Sequence, residues 1–308
     1  MSDADVPPEL AAAIYRPWEA VVETWEQFQG VLFDPTGRHP GRDMVWRGVK
    51  QADWGVMSSL YRALLKLNER PPTEHEMNVA EQRTLDLARK DWRFDDKPAL
   101  ELLAHLQHYG APTRLLDVSL NPLIALWFAV EHREKAPDTD ARLFAFVTGS
   151  KFVSLNPRWG GRYLRWHQPE YRGDRGRLAN DWGTGRKRRV WRPPAYNARI
   201  AAQNGAFIID GVPLEDPARR ETDSRSYVPV AQLQQVSSIN LRFSRLERDN
   251  LRPESAPVFT IRIKAAAKQQ IREQLERRFG YSASSIYSDM SGLAEHLSRN
   301  PQLLRPEK

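Results

Sequence analysis

The stretch from Leu106 to Val130 constrains the fold of this chain more than any other segment of its length. It reads Leu-Gln-His-Tyr-Gly-Ala-Pro-Thr-Arg-Leu-Leu-Asp-Val-Ser-Leu-Asn-Pro-Leu-Ile-Ala-Leu-Trp-Phe-Ala-Val. Gly110 and Pro112 end a preceding helix, since glycine readily leaves helical backbone and proline lacks an amide donor. Asn121 with Pro122 opens another: the Asn side chain caps free amides, and proline at the first helical position loses no bond. Between these breaks there is room only for a polar turn and a short apolar strand. His108, Tyr109, Thr113, Arg114, Asp117 and Ser119 crowd this region. A structural turn needs fewer hydrogen-bonding side chains, so they read as the lining of a small-molecule site between a strand end and a helix start.

Periodicity divides the rest. Residues 1–16 read as a flexible tail. Pro17 to Leu32 carries an apolar stripe at helical spacing, and Ser58 to Leu67 another. Thr73 with Glu76 is a capping-box pattern for a helix to about Lys90, and Pro98 opens a helix ending near Tyr109. Strands are expected at Met44 to Val49, Arg142 to Thr148, around Ile200 and Ala206 to Ile209, at Gln235 to Arg242 and at Val258 to Lys264. Ala265 to Phe279 and Ser291 to Asn300 close the chain as helices. A helix-rich first half and a strand-rich second half argue an α+β fold, with one domain over 17–300.

The chain has 308 residues, 28% charged and 41% hydrophobic, enough for one sizeable globular core. No run approaches the roughly 18 apolar residues of a membrane span, so no membrane partner is expected. Met1-Ser2-Asp3-Ala4-Asp5 has neither the basic nor the apolar region of a signal peptide. Without cysteine there are no disulfides or thiolate metal sites, and the cytoplasm is the expected compartment. The net charge of +7 is local. Pro157 to Pro193 holds eleven basic and three acidic residues, a net of +8, so the remainder sums to about −1.

His-Tyr-Gly-Ala-Pro-Thr-Arg-Leu-Leu-Asp from His108, followed by Asn121-Pro122-Leu123-Ile124-Ala125-Leu126-Trp127-Phe128-Ala129, resembles the central signature of the FRG-domain family. Trp46-Arg47-Gly48 supplies the aromatic-Arg-Gly element that names the family. Ala198 to Phe207 and Ser285 to Leu293 match in patches.

A second resemblance follows from the same pieces. An aromatic-Arg-Gly strand and a Ser-bearing strand running into an Asn-Pro helix are similar to the ADP-ribosyltransferase fold of the Arg–Ser–Glu type. This resemblance implies a mixed or antiparallel sheet core and NAD as bound substrate. Arg47 would clamp phosphate, Ser119 and Thr113 would orient ribose, and His108 and Tyr109 would line the nicotinamide side. Gln203 stands where the family's catalytic glutamate is expected. A neutral amide can hold a hydroxyl but supplies no negative charge to a cationic transition state.

Other readings of these residues stay open. Arg47 offers a guanidinium fork for phosphate oxygens, or an internal ion pair with Asp117. Arg114 and Asp117 are candidate cofactor contacts, or partners in a buried structural pair. Glu101, His105 and His108 lie on one helix, yet no further cluster points to a metal.

In the basic segment, Arg186, Lys187, Arg188, Arg189 and other arginines alternate with Trp159, Tyr163, Trp166, Tyr171, Trp182 and Trp191. Cations neutralise phosphates and exposed aromatics stack on unpaired bases. Two expectations result. The first is an NAD-binding ADP-ribosyltransferase or NAD-hydrolysing effector, of the toxin or antiphage kind that the resemblance implies, with a protein or nucleic-acid acceptor. The second is a nucleic-acid-binding or nucleolytic module using residues 157–193, with His108 as acid/base.

Overall fold

The computed structural model describes residues 7–38, 43–131, 137–149, 152–194, 198–217, 228–246, 256–299 and 301–305. In chain order its helices and strands begin with α1 (Pro8–Tyr15), β1 (Glu19–Val22), α2 (Trp25–Arg38), β2 (Met44–Val49), α3 (Ser59–Asn68), α4 (Glu74–Lys90) and α5 (Ala99–His108). Then come β3 (Leu116–Ser119), α6 (Pro122–Val130), β4 (Ala141–Val147), α7 (Gly173–Ala179), β5 (Arg189–Trp191), α8 (Ala198–Ala202) and β6 (Gly205–Ile209). The last are α9 (Val230–Val236), β7 (Val258–Ile263), α10 (Ala265–Phe279), α11 (Ala283–Ile286) and α12 (Met290–Arg299). The strands form one seven-stranded sheet in the order β1-β7-β4-β2-β3-β6-β5. β1 runs parallel to β7 and the other pairings are antiparallel, so the sheet is mixed and the fold is α+β.

The punctuation in the sequence does what its chemistry requires. Asn121 Oδ1 accepts from Leu123 N at 2.9 Å, with Pro122 at the first helical turn. Thr73 and Glu76 exchange their capping bonds at 3.2 and 2.8 Å. Alternation along β4 splits the core in two, because successive strand side chains face opposite ways. Phe144 and Phe146 join Tyr15, Val45, Leu60, Tyr61 and Leu233 on one side. Leu143, Ala145 and Val147 join Trp46, Leu126, Ile261, Ile271 and Leu275 on the other.

One contact sets the distance between α6 and the sheet. A Cβ added at Gly48 would lie 1.8 Å from the carbonyl oxygen of Ala125 and 2.8 Å from the amide nitrogen of Ala129. The Arg-Gly pair on β2 and the small residues of α6 are therefore one packing unit, with helix backbone resting directly on strand backbone.

Four expectations are corrected. Ile200, expected in a strand, lies in α8. Residues 8–15, read as part of a flexible tail, form α1, and Tyr15 is fully buried against Phe144 and Phe243. The Arg142 guanidinium lies 4.7 Å from the Tyr15 ring centroid, which anchors the helix. The helix expected over 17–32 starts only at Trp25. Glu19–Val22 pairs with Thr260 to Ile263 instead, so tertiary pairing outweighs the helical stripe. The strand expected at 235–242 is the end of α9 followed by irregular chain. There Ser237 Oγ donates to the carbonyls of Val56 and Ile239 at 3.0 and 2.7 Å. Such side-chain bonds to backbone compete with a strand ladder.

Gly48→Ala should destabilise the chain by on the order of 3 kcal/mol, because backbone rather than a flexible side chain must move. Gly30→Ala within α2, where a Cβ meets nothing within 4 Å, should leave stability equal or slightly raised. Urea unfolding of both variants checks this; equal midpoints would remove the close approach at Gly48 from the account.

Candidate functional site

The sheet is weakest between β2 and β3. β2 pairs with β4 at six positions and β3 with β6 at four, but β2 and β3 pair only at Trp46 opposite Ser119. Beyond that point the strands part and leave backbone groups without ladder partners. Arg47 reaches across the opening, and its Nη1 donates to the carbonyl oxygen of Asp117 at 2.7 Å. A cavity of about 420 Å³ occupies the opening. Its chemistry comes from Arg47, Lys50, His108, Asp117, Glu131 and Arg199, with Tyr287 at its wall.

Each group is held from a different element. Asp117, exposed on β3, keeps its carboxylate in place through Gln107, whose Nε2 donates to Oδ1 at 2.7 Å. Gln107 is fixed in turn by the Thr113 hydroxyl, which donates to its Oε1. His108, at the end of α5, faces Asp289, with Nε2 3.5 Å from Oδ2. Asp289 Oδ1 also accepts from Gly292 N at 2.6 Å and so caps α12. At the end of β2, Lys50 pairs with Glu131, the residue that ends α6. The Tyr287 hydroxyl donates to Glu131 Oε2 at 3.3 Å, and the Arg199 guanidinium lies 5.0 Å from the Tyr287 ring centroid.

Of the residues expected to form the site, Arg47, His108, Asp117, Ser119 and Gln203 line this cavity together. The Ser119 hydroxyl and the Gln203 side-chain nitrogen are spent on the scaffold. The Ser119 hydroxyl donates to the Gln203 carbonyl at 2.8 Å, and Gln203 Nε2 donates to the Ile286 carbonyl at 3.2 Å. Tyr109 does not line the cavity and is 80% exposed. Thr113 is fully buried and acts through Gln107. Lys50, Glu131 and Gln107 were not singled out from the sequence. The available signals were position alone: Lys50 is three residues past Arg47, and Glu131 is the first polar residue after an apolar helix. Arg199 and Tyr287 lie within the patches that resemble the family.

Residues 42–138 match the family model of the FRG domain. No curated protein and no solved structure matches the chain. The match supports the FRG-domain family and takes in Arg47, Lys50, His108, Asp117 and Glu131, the greater part of the cavity's charged lining.

Within the FRG-domain match, Arg114 is not a ligand contact but the centre of a buried ion network. Its Nε and Nη2 donate to Glu81 at 2.9 Å each, Nη1 to Glu74 at 2.7 Å, and Nη2 to Asn78 at 2.8 Å. Its guanidinium lies 5.5 and 5.7 Å from the ring centroids of Trp166 and Trp182, which stack on each other at 5.2 Å. The indole nitrogens of those residues donate to Glu81 and Glu74 at 2.8 and 2.9 Å. Burial pushes the Glu81 carboxyl up, but Arg114 and His167 outweigh it and bring the value down to about 2. The expected Arg114–Asp117 pair does not form, because α4 supplies nearer carboxylates.

Much of the basic segment is built into the fold, while Arg158, Arg162, Tyr163, Arg172 and Arg175 are exposed. β5 belongs to the sheet, and Trp166, Tyr171, Trp182 and Trp191 are buried, so their faces are closed to bases. Arg188 is buried and donates to the Asn240 and Ala256 carbonyls at 3.4 and 3.2 Å. Arg189, also buried, donates to the Asp181 carbonyl at 3.0 Å. Arg186 is forked onto Asp216, with Nε at 2.6 Å. Of the four residues expected to meet nucleic acid, Lys187 alone is exposed. Glu101 and His105 form a 3.7 Å pair, and among the described residues no cluster of three or more His, Asp or Glu ligands forms.

The Glu81 carboxyl titrates lower folded than unfolded, so its contribution to stability is complete above about pH 4.5 and is lost as pH falls towards 2. Glu81→Gln should flatten that acid limb of the melting temperature. Arg114→Lys, which cannot reproduce the fork, should cost roughly 3–5 kcal/mol at neutral pH. Melting curves across pH check both; an Arg114→Lys protein as stable as wild type would end the structural assignment.

Proposed function

We propose that the cavity binds NAD and that the chain transfers ADP-ribose from it or hydrolyses it, on an ADP-ribosyltransferase-like core. The observation that carries this reading is the convergence of Arg47, His108, Asp117 and Glu131 on one cavity at the splayed β2–β3 junction. A volume of about 420 Å³ lies in the usual range of small-molecule sites. NAD carries an anionic diphosphate between two riboses, and a planar guanidinium suits phosphate oxygens. Arg47 and Arg199 supply such forks, while Asp117, with its orientation set by Gln107 and Thr113, offers an acceptor for ribose hydroxyls. His108 borders the same space, where an imidazole can serve as acid or base. Ser119 and Gln203 shape the wall between β3 and the turn before β6. The toxin or antiphage setting belongs to this reading, with a protein, a nucleic acid or water as the acceptor.

Arg47→Ala should weaken NAD binding by at least about thirtyfold, the effect of roughly 2 kcal/mol lost with a charge-assisted contact. The melting temperature should fall only a little, because the bond to Asp117 is exposed. Calorimetric titration with NAD, beside a melting curve, separates the two effects. Unchanged affinity would overturn the phosphate role, and collapse of the melting transition would make Arg47 a strand clamp alone.

A further inference from the structure

An N-glycosidic bond that breaks to leave positive charge on a ribosyl carbon needs a nearby negative charge. Gln203 cannot provide it, being neutral and bonded to the Ile286 carbonyl. Among the described residues, the cavity is lined by two carboxylates, Asp117 and Glu131. One oxygen of Asp117 is already engaged by Gln107. Glu131 is likewise engaged at one oxygen, Oε2, but from two elements at once. It ends α6, its backbone amide bonded to the Trp127 carbonyl at 2.8 Å, and its side chain is 15% exposed. Lys50, from the end of β2, and the Tyr287 hydroxyl, from the turn after α11, grip the carboxylate. A carboxylate fixed by two elements keeps its direction without reorganising during a reaction, which is what preorganised electrostatic stabilisation requires.

We propose that Glu131, rather than Gln203, is the catalytic carboxylate of this cavity, with Lys50 and Tyr287 as its positioning residues; the assignment rests on the NAD reading above. In hydrolysis the bond between ribose C1′ and the nicotinamide nitrogen breaks, and its electron pair leaves with the ring as neutral nicotinamide. The positive charge shared by C1′ and the ribose ring oxygen faces Glu131. The oxygen of water bonds to C1′, and the proton it sheds passes to the Glu131 carboxylate and then to solvent. The products are ADP-ribose, nicotinamide and one proton, with no change of oxidation state. Transfer to an acceptor follows the same balance, with the acceptor's O–H or N–H in place of water.

The competing role for Glu131 is a bridge that merely ties β2 to α6 through Lys50. Lys50→Met breaks that bridge and keeps the carboxylate, whereas Glu131→Gln keeps the shape and removes the charge. The test measures nicotinamide release, NAD affinity by calorimetry and melting temperature on the full chain. The assignment predicts that Glu131→Gln lowers kcat by on the order of a hundredfold or more, with NAD affinity within about threefold of wild type. Lys50→Met should lose far less in kcat than Glu131→Gln. Equal losses in the two variants, or wild-type kcat in folded Glu131→Gln, would overturn the assignment and leave the NAD reading standing. If Glu131→Gln does not fold, Glu131→Asp decides: a lowered kcat at unchanged affinity supports the role, and an unchanged kcat overturns it. Wild-type protein that binds no NAD would defeat the NAD reading itself, and the assignment with it. Wild type that binds NAD without releasing nicotinamide would defeat both the transfer reaction and the assignment while sparing the binding site.

Discussion

The Arg114 guanidinium is the interaction on which the rest of the structure depends. It is buried, yet meets Glu74, Asn78 and Glu81 from one helix and two indole rings from the segment beyond residue 157. A buried charge is tolerated only when it is paired and its donors are occupied. Meeting that demand forces α4, the turn after α5 and the 157–193 segment to assemble together. Glu74 extends the network further, accepting the Val212 amide at 2.8 Å and so joining the chain that follows β6. The arrangement fixes where β3 begins, since Leu115 and Leu116 follow Arg114 directly.

Two constraints then open a site in an otherwise continuous sheet. Gly48 lets α6 rest on β2, which sets the position of Glu131 at the helix end and of Lys50 at the strand end. Across the sheet, β3 is fixed by Arg114 at one end and by the Asn121 cap at the other. β2 and β3 meet at Trp46 and Ser119 and diverge from there. Arg47 closes the opening from one side while remaining part of its wall. The aromatic-Arg-Gly element therefore has a division of labour: Trp46 packs in the core, Arg47 faces the cavity and Gly48 admits the helix.

Much of this was legible in the residues. Glycine, proline and capping residues marked the start of α4, both ends of α5 and the start of α6 because those signals act over a few positions. His108 and Asp117 were identifiable as polar side chains crowded around a helix break, and Arg47 through the aromatic-Arg-Gly element on its strand. What could not be read was long-range pairing. Glu19–Val22 looks helical until β7, more than two hundred residues later, offers it an edge. Trp166 and Trp182 of the basic segment look like stacking platforms until the α4 carboxylates supply partners for their indole nitrogens. Thr113 looked like a ligand contact because a hydroxyl beside a site gives no sign that Gln107 intervenes. Glu131 passed unnoticed because a lone glutamate after an apolar helix is ordinary in sequence and becomes distinctive only when Lys50 and Tyr287 converge on it.

The functional account thus rests on one place, the gap between β2 and β3, and on the charged groups that α5, α6, α8 and the chain after α11 bring to it. Hydrogen–deuterium exchange with saturating ADP-ribose tests that placement most directly. The account predicts slowed exchange at backbone amides within 46–50, 117–119 and 199–207, which border the cavity from three sides. Slowing confined to residues 157–193, or no slowing anywhere in the chain, would contradict it.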